Sequence, residues 1–327
     1  MLSKHDIFKI KTNEDFEAMA LKVFSYQIKH CKTYKQYINL LGINASSIQN
    51  IEDIPFLPIR FFKSNTIYST NKPNNIVFTS SGTTGMQASK HYVADVSLYK
   101  KSFTEGFSAF YGNPKQYAIL ALLPAYLERE GSSLIYMIDN LIKMSDYPQS
   151  GFFLHNKQDL YNSLNLLQKK QIPTLLIGVS FALLDFVEQF KINFPELIVM
   201  ETGGMKGRRR ELPREELHNI LCHGFGVTKI HSEYGMTELL SQAYSNGNGL
   251  FKTPPWAKVL IRNIQNPLLI NRKQITGGIN IIDLANIYSC SFIETQDLGK
   301  IHLNNSFEIQ GRFDESDIRG CNLMVVD

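Results

Sequence analysis

The sequence predicts an α/β fold with a substantially parallel sheet. Between about residues 76 and 200, short apolar runs alternate with stretches at amphipathic helical spacing. The composition, 43% apolar and 20% charged, is that of a folded soluble chain, with Phe, Tyr and Ile throughout to supply a core. After about residue 250 helical spacing disappears, and short β-like runs are separated by Asn, Gly and Pro. The 327 residues fit one large domain or two ordinary ones. The expected division is a helical N-terminal segment with an α/β core over 1–250, and a β-rich subdomain over 251–327.

The first 50 residues read as helical: over 15–30, Phe16, Met19, Ala20, Val23 and Phe24 recur at helical spacing. Pro55 and Pro58 then break the chain. Ile76-Val77-Phe78 reads as a strand, 96–111 as a helix, and 117–123 as a buried strand stopped by Pro124. A helix is expected over 160–171, a strand over 174–177, a helix over 181–190 and a strand over 197–200. A further strand is expected over 227–230.

Bulk properties narrow the function. The net charge of +4 is spread along the chain apart from Arg208-Arg209-Arg210, which reads as a solvated helix face and not a nucleic-acid site. The N-terminus lacks an apolar signal core, and no uncharged run approaches the roughly 20 residues of a membrane span. Cys31, Cys222, Cys290 and Cys321 are far apart and form no CxxC pair, which points to free thiols in a reducing cytoplasm and away from zinc.

Four clusters carry chemistry. In Ser80-Ser81-Gly82-Thr83-Thr84-Gly85, two glycines permit tight turns that aim backbone N–H groups at one anion, and the hydroxyls add donors for phosphate oxygens. Neither a Walker loop nor GxGxxG is present, and the same composition equally suits a surface turn. Glu201-Thr202-Gly203-Gly204 ends an expected strand; its paired glycines admit a flat base or another backbone, or form a plain turn. His231-Ser232-Glu233-Tyr234-Gly235-Met236-Thr237-Glu238 places two carboxylates beside hydroxyls, and Glu238 is the candidate magnesium ligand. Thr295-Gln296-Asp297-Leu298-Gly299 precedes Gly311-Arg312-Phe313-Asp314; Asp297 suits either a turn cap or a ribose diol. These clusters are expected just after strands, where ligands of open α/β sheets bind.

In this order the clusters resemble the adenylate-forming superfamily of acyl-CoA synthetases, luciferases and peptide-synthetase adenylation domains. The glycine-hydroxyl loop, Tyr234-Gly235 with Thr237-Glu238, the 295–299 run with Gln296 in place of glycine, and Gly311-Arg312 with Asp314 each match a motif of that superfamily. Two positions depart from it: Lys90 lies two positions beyond the superfamily's lysine, and Met205 replaces a glutamate. Leu123-Pro124-Ala125-Tyr126-Leu127-Glu128-Arg129 and the ending Gly320-Cys321-Asn322-Leu323 look most like the LuxE-type acyl-protein synthetases, which are similarly short. The resemblance implies the large N-terminal domain of the superfamily, with a hinge at Gly311, Arg312 and Asp314 inside the 251–327 unit and the usual small C-terminal domain absent.

The function implied is ATP-dependent activation of a carboxylic, in that group fatty, acid to acyl-AMP, followed by transfer to the protein's own Cys321. Ser80, Ser81, Gly82, Thr83, Thr84 and Gly85 would hold phosphates, Thr237 would contact the α-phosphate, and Glu238 would hold Mg2+. Asp297 and Arg312 would bind ribose or phosphate, with Gly203, Gly204, Tyr234 and Gly235 lining the nucleotide site. Arg319 is the cation nearest Cys321 in sequence; His231 and His155 are candidate acid–base groups or structural histidines, and His91, close to the loop, is placed to touch the phosphates but has no assigned role. An acyl-reductase or acyl-carrier partner is implied by the family alone. The alternatives are a ligase using the external thiol of CoA or a carrier, and a non-catalytic nucleotide-binding scaffold.

Overall fold

A computed structural model describes residues 5–80, 87–123, 131–153, 156–203, 212–271 and 276–313. Helix α1, Asn13–His30, starts at Thr12, whose hydroxyl accepts from Asp15 N while the Asp15 carboxylate accepts from Thr12 N. Its apolar stripe buries Phe16, Ala20, Val23 and Phe24, as the spacing predicts, along with Gln27. Helix α2, Lys32–Leu40, follows directly. The two prolines deliver the chain to a two-residue strand β1, Leu57–Pro58, paired in parallel with Ile293 and Glu294. Gln27 ties the same regions together by donating to the carbonyls of Asn286 and Ile287 and to Ser291 Oγ.

After the one-turn helix α3, Phe61–Ser64, strands β2, Ile76–Thr79, and β3, Lys90–Val93, form an antiparallel two-stranded sheet of their own. Next come α4 (Val96–Tyr111), β4 (Ala118–Leu122), α5 (Ser133–Met144), β5 (Gly151–Phe152) and α6 (Lys157–Lys169). They lead to β6 (Thr174–Gly178), α7 (Ser180–Val187), β7 (Ile198–Glu201), α8 (Arg214–Phe225) and β8 (His231–Tyr234). Short polar residues cap these helices: Asp95, Ser132 and Asn156 each accept from a first-turn N–H.

Strands β5, β4, β6, β7 and β8 are parallel neighbours, and every residue of β4 and β6 is buried, as parallel strands covered on both faces require. The expected parallel character stops there. From β8 the pairing turns antiparallel through β9 (Ala243–Ser245) and β10 (Phe251–Lys252). The sheet is completed by β11 (Ala257–Arg262), β12 (Gly277–Asp283), β13 (Phe292–Ile301) and β14 (Phe307–Arg312). The order is β11-β12-β13-β14-β10-β9-β8-β7-β6-β4-β5, with β1 on β13.

Two sequence expectations are corrected. No strand forms over 227–230: α8 ends at Gly226 in the left-handed region (φ 68°), and the four polar residues His231–Tyr234 form β8 in register with Met200 and Glu201. Asp297 does not sit in a turn but inside the ten-residue β13. Among the described residues no helix is long and apolar enough to cross a membrane.

Candidate active site

The antiparallel pairing of β13 with β14 sets Asp297 opposite Arg312. Asp297 is 6% exposed, and both its oxygens accept: Oδ2 from the Tyr234 hydroxyl at 2.7 Å, Oδ1 from Arg312 Nε at 3.1 Å. Tyr234 ends β8 with its ring edge-on to Phe251 and Phe307. Burial, then the charge of Asp297, pushes the Tyr234 phenol well above its ordinary range, so it stays a donor. Behind this triad Thr295 Oγ1 accepts from Asp297 N and donates to Ile279 O. The buried Arg262, not singled out in the sequence, donates to the carbonyls of Thr295 and Ile279 and to Asn280 Oδ1.

Ser80 stands at the mouth of the glycine-hydroxyl loop. Its N–H donates to Ser89 O at 3.1 Å, and its Oγ accepts from Ser89 N at 2.9 Å, so the loop base is closed by two bonds. Ser81, Gly82, Thr83, Thr84 and Gly85 lie outside the described residues, as do Gly204, Met205, His155, Asp314, Arg319, Cys321 and the arginines at 208–210.

Glu238 is buried beside this base. Burial raises its pKa; the Ser89 hydroxyl, its own backbone amide and the charges of Arg312 and Lys63 counteract that. Arg312 is ion-paired with Asp297, and its charge also acts on the Glu238 carboxyl. The preceding carbonyl, Thr237 O, accepts from His91 Nδ1 at 2.8 Å, and Glu238 O accepts from Asn286 Nδ2 at 2.6 Å. Asp283 then takes the N–H groups of Leu240 and Ser241 and the Ser241 hydroxyl. Gly235 lies in the exposed turn between Tyr234 and Thr237; a Cβ there would stand 2.5 Å from Glu233 Oε1.

Gly203 follows β7 with φ 69°, and nothing lies within 4 Å of where its Cβ would be. Its N–H donates to Glu201 Oε2 at 2.6 Å, and Ser180 Oγ donates to the same oxygen at 3.1 Å. Burial pushes the Glu201 carboxyl up, but His218, Ser232 and the Gly203 amide outweigh it and hold the group charged. Glu201 was read only as the start of the glycine run; its function here is to shape it.

Some polar residues serve packing. His231 shares a 3.2 Å hydrogen bond with the Tyr111 hydroxyl, away from the triad, and burial pushes it down to about 4. Lys90 is exposed on β3. His91 is 1% exposed and turned toward Thr237, so it does not reach out to phosphates.

A profile of the family described as acyl-protein synthetase, LuxE, matches residues 8–327. The chain belongs to that family. Over 72 residues it is 35% identical to the long-chain-fatty-acid–luciferin-component ligase of Photorhabdus luminescens, a match covering 21% of this chain and 60% of that protein. A 2-hydroxyisobutyryl-CoA ligase solved with 2-HIB-AMP and CoA superposes at TM-score 0.65, with 11% identity over 93% of this chain and 75% of that one. ATP-bound MatB from Rhodopseudomonas palustris superposes at 0.53, with 15% identity over 72% of this chain and 47% of that one. This LuxE-family chain therefore has the mixed α/β fold of adenylate-forming ligases, and it spans about half the length of MatB.

Proposed function

We propose that this chain activates a long-chain carboxylic acid with ATP to an acyl-adenylate and passes the acyl group to the thiol of Cys321. What carries the reading is the buried Asp297 carboxylate, held by the Tyr234 hydroxyl and by Arg312 Nε, which brings the 234, 297 and 312 positions of three separate clusters into contact. Family membership and the adenylate-forming fold support it.

In the first step a carboxylate oxygen attacks the α-phosphorus, the α–β phosphoanhydride bond breaks and pyrophosphate leaves. Alignment and charge neutralisation supply most of the acceleration. Asp297, held by Tyr234, would accept from the ribose hydroxyls; Thr237 and Arg312 would meet phosphate; Gly203 leaves room for the flat base. The 81–85 loop would take the outer phosphates. In the second step the Cys321 thiolate attacks the acyl carbon and AMP leaves.

No group of three or more His, Cys, Asp or Glu among the described residues could hold a metal by itself. One buried carboxylate suits magnesium, which is held mostly by phosphates and water. Glu238 would hold it, and the ion would neutralise phosphate charge.

The same proposal keeps the 1–250 and 251–327 organisation, a cytoplasmic setting for the free thiols Cys31, Cys222 and Cys290, and an acyl-reductase or acyl-carrier partner. The test incubates protein, ATP, magnesium and a panel of fatty acids, following pyrophosphate exchange and intact mass. Acid-dependent exchange with a covalent acyl adduct lost in Cys321→Ser is the expected result. Exchange with no acid would sink the enzyme reading. Acylation of added CoA or carrier that survives Cys321→Ser would move the acceptor outside the chain.

A further inference from the structure

We propose that His91 is a positioning residue that latches the Thr237-Glu238 turn onto the hairpin carrying the glycine-hydroxyl loop. The proposal deepens the adenylation reading of that loop and turn.

The need for a latch comes from topology. Among the described residues, strands β2 and β3 form a sheet of their own, separate from the large sheet. The 235–238 turn grows from β8, inside that sheet. No ladder between strands joins the hairpin to this turn among the described residues, so side chains that span the two elements bear on their spacing.

His91 meets that need across 146 residues of sequence, with Nδ1 2.8 Å from Thr237 O. A carbonyl only accepts, so the proton sits on Nδ1. The ring has no freedom to do otherwise: His91 is 1% exposed, Phe62 meets it edge-on at 5.8 Å, and its backbone pairs with Phe78. Asn286, which follows β12, takes the very next carbonyl, that of Glu238. Two consecutive carbonyls are thus held by side chains from two different elements, Thr237 O by His91 on the hairpin and Glu238 O by Asn286 just beyond β12. The Ser89 hydroxyl beside Glu238 adds a second tie from the loop base. A reaction driven by alignment loses on the order of 100-fold for about 1 Å of misplacement, so this clamp bears on rate while touching no substrate.

The test compares His91→Asn, whose amide nitrogen replaces Nδ1, with His91→Leu, which has no donor. Pyrophosphate-exchange kinetics give kcat and KM, and deuterium uptake of peptides covering 234–240 reports the turn directly. Circular dichroism establishes that each variant folds. Expected for Leu is a kcat loss of about 30-fold with an ATP KM within about threefold of native, and for Asn a kcat within about threefold. Uptake over 234–240 should accelerate in Leu and stay near native in Asn. A folded Leu variant with native kcat and native uptake, or an Asn variant no better than Leu, overturns the latch. If native protein exchanges no pyrophosphate with any acid, the adenylation reading fails, and deuterium uptake alone decides the latch by the same Leu-against-Asn comparison.

Discussion

The Tyr234 hydroxyl donates a 2.7 Å hydrogen bond to Asp297 Oδ2 across 63 residues of chain. The two positions come from motifs that look unrelated in sequence, and the bond fixes the carboxylate proposed to take the ribose. A hydrogen bond to a charged acceptor contributes about 1.5–3 kcal/mol. Tyr234→Phe should therefore weaken ATP binding by about tenfold, and Asp297→Ala by more, both read by calorimetric titration. Unchanged affinity in both variants would remove the pair from the nucleotide site.

Glu238 combines burial with neighbouring positive charge from Arg312 and Lys63. Glu238→Gln keeps the shape and removes the charge. Exchange should fall by about 100-fold, and the magnesium concentration for half-maximal rate should rise by about tenfold or more. A variant with the native magnesium dependence places the ion elsewhere.

A methyl group at Gly235 would collide with Glu233 Oε1 at 2.5 Å. Gly235→Ala should cost about 1–3 kcal/mol in urea unfolding, the range for overpacking. Combining it with Glu233→Ala should recover most of that loss, because the colliding atom is gone. Strict additivity in this double-mutant cycle would assign the cost to backbone conformation instead.

Burial, then the charge of Glu201, pushes the Glu233 carboxyl from 4.5 up to about 8. The folded state therefore keeps a proton that the unfolded chain loses near the ordinary carboxylate value. The stability this contributes is complete below about pH 4.5 and is lost as pH rises toward 8. His91 and His231 act the other way: burial lowers each from 6.5 to about 4, so their contribution holds above 6.5 and fades as pH falls. Glu233→Gln should remove only the alkaline decline. The melting-temperature difference between variant and native should grow in the variant's favour from pH 5 to 8; a constant difference would contradict it.

What could be read in the sequence depended on whether the signal was local. Helix α4 was legible at 96–111 because its amphipathic spacing is local, and the structure caps it with Asp95 and Gly112. Strand β8 was displaced to 227–230 because its four residues are polar; they are buried by neighbouring strands and by Tyr111 on α4, which local pattern does not record. The chemistry of Tyr234, Glu238, Asp297 and Arg312 was legible as residue types in order. The cross-strand register of Asp297 with Arg312 was not. The roles of His91 and Arg262 escaped for one reason: each acts chiefly on backbone carbonyls, and a carbonyl leaves no mark in a sequence.

The anchoring of α1 and β1 has a consequence for synthesis. Gln27 finds its partner Ser291 264 residues later, and among the described residues β1 pairs with β13 alone. At roughly 5–20 residues per second, the ribosome takes roughly 10 to 50 s to deliver that partner. Throughout that interval Phe24 can pack on Tyr34 of α2 but lacks Phe292, its other ring partner. The nascent helices α1 and α2 thus wait with an incompletely covered apolar face, open to chaperones and to aggregation, until β13 is made.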